Sequence, residues 1–267
     1  LHPEGEKPVY IFGSECTLTL VRNAELTAIP YTLETIREER EETPLDPLVG
    51  YMMPLVNVPC GTGEPKVLGC AVTRVCGTSL VPLAALLVDG YLKPFMLYLN
   101  RIVEKRIYRN ILLSGWEVRA DRDEAVYVRI DMEGREAADW DYTTPDIPWV
   151  QNDTLHFYDG DIVLDGIASD NIYRFSLTRL YGDSISTVLQ IHYPLKDGDA
   201  LNNIQKFSAV MLTLGKRLRF TLTGLALLTF HANTDNAEEI LVVRRFRIEG
   251  DCVIEVCNDK GEWVTPV

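Results

Sequence analysis

Three stretches of the chain hold residue types that could do chemistry. Gly61-Thr62-Gly63 followed by Lys66 is a fragment of a phosphate-cradling loop. It lacks the Gly-Lys-Ser/Thr ending and the strand-to-helix setting that such a loop needs, so it reads as a turn. Asp159, Asp161 and Asp165-Gly166 stand at calcium-like spacings. Ile162, Val163 and Leu164 interrupt the oxygen-ligand register, and two hairpin turns account better for the acids. Asp139-Trp140-Asp141-Tyr142, with Trp149 beyond, combines carboxylates with rings that could stack on a sugar. A glycosidase needs its two carboxylates at a set separation, and adjacent strand residues point to opposite faces. With Pro145 and Pro148 nearby, this stretch reads as a surface loop.

The remaining candidates are weaker. Cys16, Cys60, Cys70, Cys76, Cys252 and Cys257 contain no Cys-x-x-Cys, and their spacings do not fit the common zinc knuckles. Six cysteines in 267 residues do not suggest a disulfide scaffold. His2, His156, His192 and His231 are isolated. Gly-x-Ser-x-Gly is absent, and Asn152-Asp153-Thr154 is a sequon of the kind that arises by chance. No catalytic, metal or cofactor set emerges, and the chain is not expected to be an enzyme.

The elements that would have to position such groups are mostly strands. Val126, Val128, Ile130 and Met132 alternate with Tyr127, Arg129 and Asp131, as in a half-buried antiparallel strand. Residues 111–118 read as its partner, across a polar turn at Asp121-Arg122-Asp123-Glu124. Residues 155–158 and 162–164 flank Asp159-Gly160 in a hairpin pattern, with Asp165-Gly166 as the next turn. Further strands are expected at 173–178, 217–222, 241–248 and 252–257. Two helices fit the pattern. One spans 80–88, with Ser79 as cap and Pro82 in the first turn. The other runs from Asp199 to about Met211 on the spacing of Leu201, Ile204 and Met211. The charged run at 37–42 reads as a solvated helix face or a strand end.

Composition bounds the function. Hydrophobic residues make up 46% of the chain and charged residues 24%, a globular balance. Net charge is −13, from 39 acidic and 26 basic residues. Such a chain is not expected to grip nucleic acid, which calls for a basic footprint. Acidity serves solubility, and it also suits a surface that DNA must pass without sticking. The apolar runs are shorter than a membrane span. The opening LHPEGEKP is polar and lacks a signal-peptide pattern.

The segment 43–65 combines prolines and glycines with apolar residues. Pro44, Pro47 and Pro54 exclude regular structure, yet Leu45, Leu48, Tyr51, Met52, Met53 and Leu55 need burial. Such a segment either packs on a partner or folds back on its own core, and both readings stay open.

Taken in order, these features resemble the tail tube (major tail) protein family of long, non-contractile-tailed phages and prophages. The resemblance rests on Ile29-Pro30-Tyr31, the charged run 37–42, the long loop 43–59 and Gly69-Cys70-Ala71-Val72. It continues in the leucine-rich 83–90, in Ser114-Gly115-Trp116-Glu117-Val118 with the alternating strand after it, and in Leu222-Thr223-Gly224-Leu225. The match is one of pattern and order. The cysteines and Val243-Arg244-Arg245-Phe246-Arg247 have no counterpart in it; those arginines mark subunit salt bridges or one face of a strand.

The resemblance implies a mainly-β antiparallel sandwich or barrel of the tail-tube type with one or two flanking helices. It implies a homo-oligomer in stacked hexameric or trimeric rings, built with other phage tail proteins into the virion tail after synthesis in the host cytoplasm. DNA would pass through without tight binding, and no membrane or cofactor would be involved. The loop residues Pro44, Leu45, Pro47, Leu48, Tyr51, Met52, Met53 and Leu55 would contact another subunit. Asp121, Asp123, Glu124 and Asp131 would face the lumen. The chain reads as one unit, 1–267, with room for two tube-like lobes at about 1–150 and 151–267, although no sequence repeat is visible. Alternative readings are a hub, terminator or baseplate protein, or a carbohydrate-binding module using Trp140, Trp149 and Trp263.

Overall fold

The computed structural model describes residues 16–39, 66–101, 104–122, 124–139, 154–157, 160–168, 171–195, 206–233 and 240–266. These contain eighteen strands and one helix. In chain order they are β1 (Thr17–Arg22), β2 (Glu25–Ile29), β3 (Tyr31–Glu34), β4 (Arg37–Glu39), β5 (Lys66–Arg74), α1 (Leu80–Asp89), β6 (Phe95–Asn100), β7 (Lys105–Asp121), β8 (Tyr127–Gly134) and β9 (Glu136–Asp139). There follow β10 (Asp161–Leu164), β11 (Ile167–Ala168), β12 (Arg174–Leu180), β13 (Ser186–Pro194), β14 (Lys206–Leu214), β15 (Leu218–Asn233), β16 (Leu241–Ile248), β17 (Cys252–Cys257) and β18 (Trp263–Val264). The fold is mainly β and antiparallel throughout, with a flanking helix.

One long sheet runs β3/β4–β5–β8–β7–β12–β13–β16–β15. Two smaller sheets complete the sandwich-like arrangement: β2–β1–β6–β7–β9, and β11–β10–β14–β15–β17–β18. The strands β7 and β15 belong to both levels because each bends partway along. In β7 the bend falls at Asn110 (φ 52), and in β15 at Gly224 (φ 65). At the second bend a Cβ on Gly224 would sit 3.0 Å from the Gly250 nitrogen, and one on Gly250 would meet Thr223. Two backbones therefore touch at this corner, which is where glycine is needed. A contiguous core fills the space between the levels, with Trp116, Phe175, Leu189, Phe220 and Phe246 fully buried. Trp116 on the long sheet and Phe220 on a small one meet across it, ring centroids 6.2 Å apart.

Alternation predicts β8 well. Val128, Ile130 and Met132 are buried, and the residues between them turn outward. The polar turn before it closes through a bond from the Glu124 N–H to the Asp121 carbonyl, 3.0 Å. Helix α1 matches the expected 80–88, and Pro82 lies in its first turn. Ser79 precedes it but makes no side-chain cap; its hydroxyl donates back to the Cys76 carbonyl instead. The helix lies against β17 and beside β1, and Asp89 at its end pairs with Arg22 of β1.

Two expectations are corrected. The helix from Asp199 to Met211 does not form over its described part, because residues 206–214 are strand β14. The near-continuous apolar run 209–214 suits either period, and ladder bonds to β10 and β15 decide it. Among the described residues the hairpin expected across Asp159-Gly160 shows no ladder. Leu155 instead joins Val75 and Val126 through backbone bonds of 2.9 and 2.8 Å, while β10 pairs with β11 and β14. The charged run is a strand end at Arg37–Glu39; residues 40–42 lie outside the described residues.

Asp165-Gly166 is the two-residue turn between β10 and β11, with φ of 48 and 83. The Asp165 carboxylate accepts bonds from the Ser208 hydroxyl at 2.6 Å, the Ala209 N–H at 2.7 Å and the Ser208 N–H. Burial pushes its pKa up, but the bonds from Ser208 and Ala209 together outweigh this and hold it below the ordinary value. A depressed carboxyl stabilises the fold above its unfolded pKa and loses that contribution as pH falls through the folded value. The carboxylate is exposed, so solvent screens these bonds, and Asp165→Asn should cost no more than about 0.5–1 kcal/mol at pH 7. Urea titrations should show the difference from wild type fading below about pH 4.

Candidate functional site

The strands fall into two sets with the same pairings. In β1–β9 the pairs are β1–β2, β1–β6, β3/β4–β5, β5–β8, β6–β7, β7–β8 and β7–β9. In β10–β17 they are β10–β11, β10–β14, β12–β13, β13–β16, β14–β15, β15–β16 and β15–β17. The correspondence extends to single residues. The bend at Asn110 matches that at Gly224. The bulge that skips Ser114 against β8 matches the bulge that skips Leu228 against β16. Trp116, opposite Ile130, thus corresponds to Phe230, opposite Arg244.

The two lobes join edge to edge. The end of β7 pairs with β12 from Gly115↔Leu180 to Asp121↔Arg174. The joint is sealed by aromatics. The Trp116 indole N–H donates to the Tyr181 hydroxyl at 3.0 Å, and that hydroxyl donates to the Leu87 carbonyl of α1. The Tyr181 ring stacks on Tyr91 at 4.2 Å. Burial pushes the Tyr181 phenol above its ordinary pKa, with the Trp116 bond and Arg179 opposing.

The same kind of edge is open at both ends of the long sheet. Beyond Ala226, β15 pairs only with β16 among the described residues. Leu228 and Phe230 there are 45% and 48% exposed, whereas Trp116 at the equivalent position is 0% exposed. At the far end β3 and β4 pair only with β5 among the described residues, and Leu33 is 53% exposed. The two margins differ in charge. Arg244, Arg245 and Arg247 of β16 lie beside the first; Glu34, Glu38 and Glu39 lie on the second, together with Arg37, which pairs with Glu39 at 2.7 Å. Glu34 is held by Arg101 through paired bonds of 2.8 and 2.9 Å, and Glu38 by Arg106 at 3.1 Å.

The outward face of the long sheet gathers two of the acids singled out in the sequence. Asp121 pairs with Arg174, and Asp131 with Arg129 at 2.9 Å. Glu124 is exposed in the turn. Asp123 and the loop residues Pro44, Leu45, Pro47, Leu48, Tyr51, Met52, Met53 and Leu55 lie outside the described residues. Sequence reading set Arg129 on the outward side of its strand but did not bring it together with the other arginines of this face. Arg74 and Arg119 flank the Tyr127 ring at 5.7 Å each, and Arg245 and Arg247 point outward while Arg244 turns in. His192 on the same face is held below its ordinary pKa by burial and by Arg174, so it adds no charge at pH 7. Alternation within β16 and β8 was the available signal for these outward arginines.

The other chemical candidates stay apart. No three His, Cys, Asp or Glu side chains among the described residues could hold a metal. Asp159, Trp140 and Trp149 lie outside the described residues, and the Asp165 carboxylate is engaged as above. Trp263 is half-buried, with the Arg219 guanidinium 4.3 Å over one face of its ring. Burial raises the Cys252 thiol pKa against the opposing effect of Arg179, which leaves it protonated. A cavity of about 710 Å³ near Lys66, Leu68, Leu92 and Leu112 is lined by charged and apolar groups without His, Cys or Ser. No helix among the described residues is long and apolar enough to cross a membrane. No protein-family model matches the chain, and no curated protein matches it.

Proposed function

We propose that this chain is a structural subunit that closes head to tail into rings, which stack into a hollow phage tail tube for DNA passage. One observation carries the reading. Two lobes of the same topology are joined through an edge pairing, and among the described residues the two edges of that same type are left open at opposite ends of the long sheet. An open edge with large exposed apolar side chains is a liability unless another chain covers it. A heterologous contact of this kind generates rings when its rotation closes. The order of sequence features resembling tail tube proteins supplies the rest: stacking, the virion tail as location, and other tail proteins as neighbours.

The outward face suits passage without capture. Arg129, Arg174 and Arg247 are committed to carboxylates of their own chain, and Arg74 and Arg119 to Tyr127. Phosphate contact would have to compete with these partners.

Electron microscopy of concentrated protein, with mass by light scattering, tests the proposal. Rings and tubes are the expected result. Rings that never stack would assign a hub or terminator instead. A chain that stays monomeric at high concentration and in the presence of tail initiator would overturn the proposal. Phe230→Asp should leave the monomer folded, since the side chain is half exposed. Association should weaken about 100-fold or more, because a favourable apolar burial of about 2 kcal/mol is lost and a carboxylate must be desolvated at the contact even with Arg244 beside it.

A further inference from the structure

We infer that the open end of β15 pairs, in antiparallel fashion and in one fixed register, with β4 of a neighbouring copy. This inference rests on the assembly reading above and specifies its contact. The register follows from the joint inside the chain. Since Trp116 corresponds to Phe230, the cross-strand partners Ile130 and Arg244 correspond, and so do Ala71 and Ile191 in the next strand. Glu34 pairs with Ala71 as Phe175 pairs with Ile191, so β3 and β4 together stand where β12 stands. Glu38, opposite Val67, then corresponds to Arg179, opposite Thr187. Inside the chain Trp116 faces Arg179 and Glu117 faces Thr178. Between copies, Phe230 therefore faces Glu38 of the neighbouring copy, His231 faces its Arg37, and Ala232 faces its Ile36.

The chemistry of the margins fits this register. The Arg244 guanidinium lies 5.2 Å over the Phe230 ring, on the β16 side. The ladder brings the neighbour's Glu38 to the other side of that ring, so opposite charges flank it. In this register Arg244, opposite Phe230, shares a row with the neighbour's Glu38, and Arg245, opposite Thr229, with its Glu39, so opposite charges meet across the joint. Leu228 and Phe230 gain the cover that the second lobe gives Ser114 and Trp116.

Cysteine cross-linking reads the register directly. His231→Cys and Arg37→Cys are placed in one chain; both native side chains are exposed. Directly opposed strand residues stand about 4.5–5.5 Å apart, within disulfide reach. Mild oxidation of the assembled protein should give covalent multimers on a non-reducing gel, lost on reduction. His231→Cys with Glu39→Cys, two residues out of register, should give at least about tenfold less, and the unsubstituted chain with its native thiols sets the background. Each pair is also mixed as two singly substituted chains, which must cross-link for the bond to be intermolecular. Assembly with equal or greater cross-linking in the shifted pair, or with none in the predicted pair, would overturn the register and leave the tube reading standing. Absence of assembly of the unsubstituted chain by light scattering, at high concentration and with tail initiator present, would overturn both.

Discussion

Trp116→Ala should lower the stability of the chain by about 3–5 kcal/mol, the usual range for removing a fully buried tryptophan. The indole is 0% exposed, it packs toward Phe220 of the opposite level, and its N–H is bonded to the Tyr181 hydroxyl. Few single changes remove so much at once. The indole volume is lost from the core, and the Tyr181 hydroxyl loses a donor, although it keeps the Leu87 carbonyl as acceptor. The stack of Tyr181 on Tyr91 then loses the support that fixes its position. Chemical denaturation should show a lower midpoint. Because Trp116 sits at the joint between lobes, a second signature is expected: a broadened or biphasic transition, as β7–β12 opens before either lobe unfolds. Phe230→Ala at the equivalent position should cost the isolated chain well under 1 kcal/mol, because that site is half exposed. A comparable loss in both variants would show that the open end of β15 is already covered within its own chain.

How much of this was legible in the sequence depends on the range of the interactions involved. The strand β8 was legible because Val128, Ile130 and Met132 face one core while Arg129 and Asp131 face water, a contrast written every second residue. The helix α1 was legible because a nine-residue apolar run, Leu80 to Val88, stops at Asp89-Gly90 and holds its proline in the first turn. The strand β14 was not, since Ala209 to Leu214 offers no clear polar face and only its ladder partners fix the period. Leu155 was misplaced for a similar reason: its partners Val75 and Val126 are distant in sequence. The repeat left little trace in residue identity beyond Leu113 with Leu227 and Val128 with Val242. Asn110 and Gly224 share a left-handed bend, Ser114 and Leu228 a bulge, Trp116 and Phe230 a place in a ladder, and none of these pairs shares a side chain. What repeats is backbone geometry, which many side chains satisfy. The arginines of 243–247 were visible as a run, but their meaning came only when β16 was found beside an open edge.

Gly69→Ala is the substitution expected to damage fold and assembly together. Gly69 lies in β5 where the chain passes from β3 to β4. A Cβ there would lie 2.5 Å from the Ile36 Cα, 2.7 Å from the Thr35 carbonyl oxygen and 2.8 Å from the Ile36 nitrogen. All three neighbours are backbone, so no rotamer change relieves the clash, and the β3–β4 connection must move away from β5. That movement strains the bond from the Thr35 N–H to the Cys70 carbonyl at 2.9 Å and the one from the Cys70 N–H to the Thr35 hydroxyl at 3.2 Å. It also strains the Arg101 clamp on Glu34 and the Ile36 carbonyl. The expected loss is about 3 kcal/mol, at the upper end for overpacking because rigid groups are displaced. The equivalent site in the second lobe is Leu189, which packs into the core, so the need for glycine belongs to the margin and not to the fold in general. Displacing β4 moves the acidic edge that we assign to the neighbouring copy. Stability by denaturation and assembly by light scattering should therefore fall together in Gly69→Ala, whereas Phe230→Asp should lower assembly alone. If Gly69→Ala assembled normally while losing stability, β4 would not be the strand that meets the next subunit.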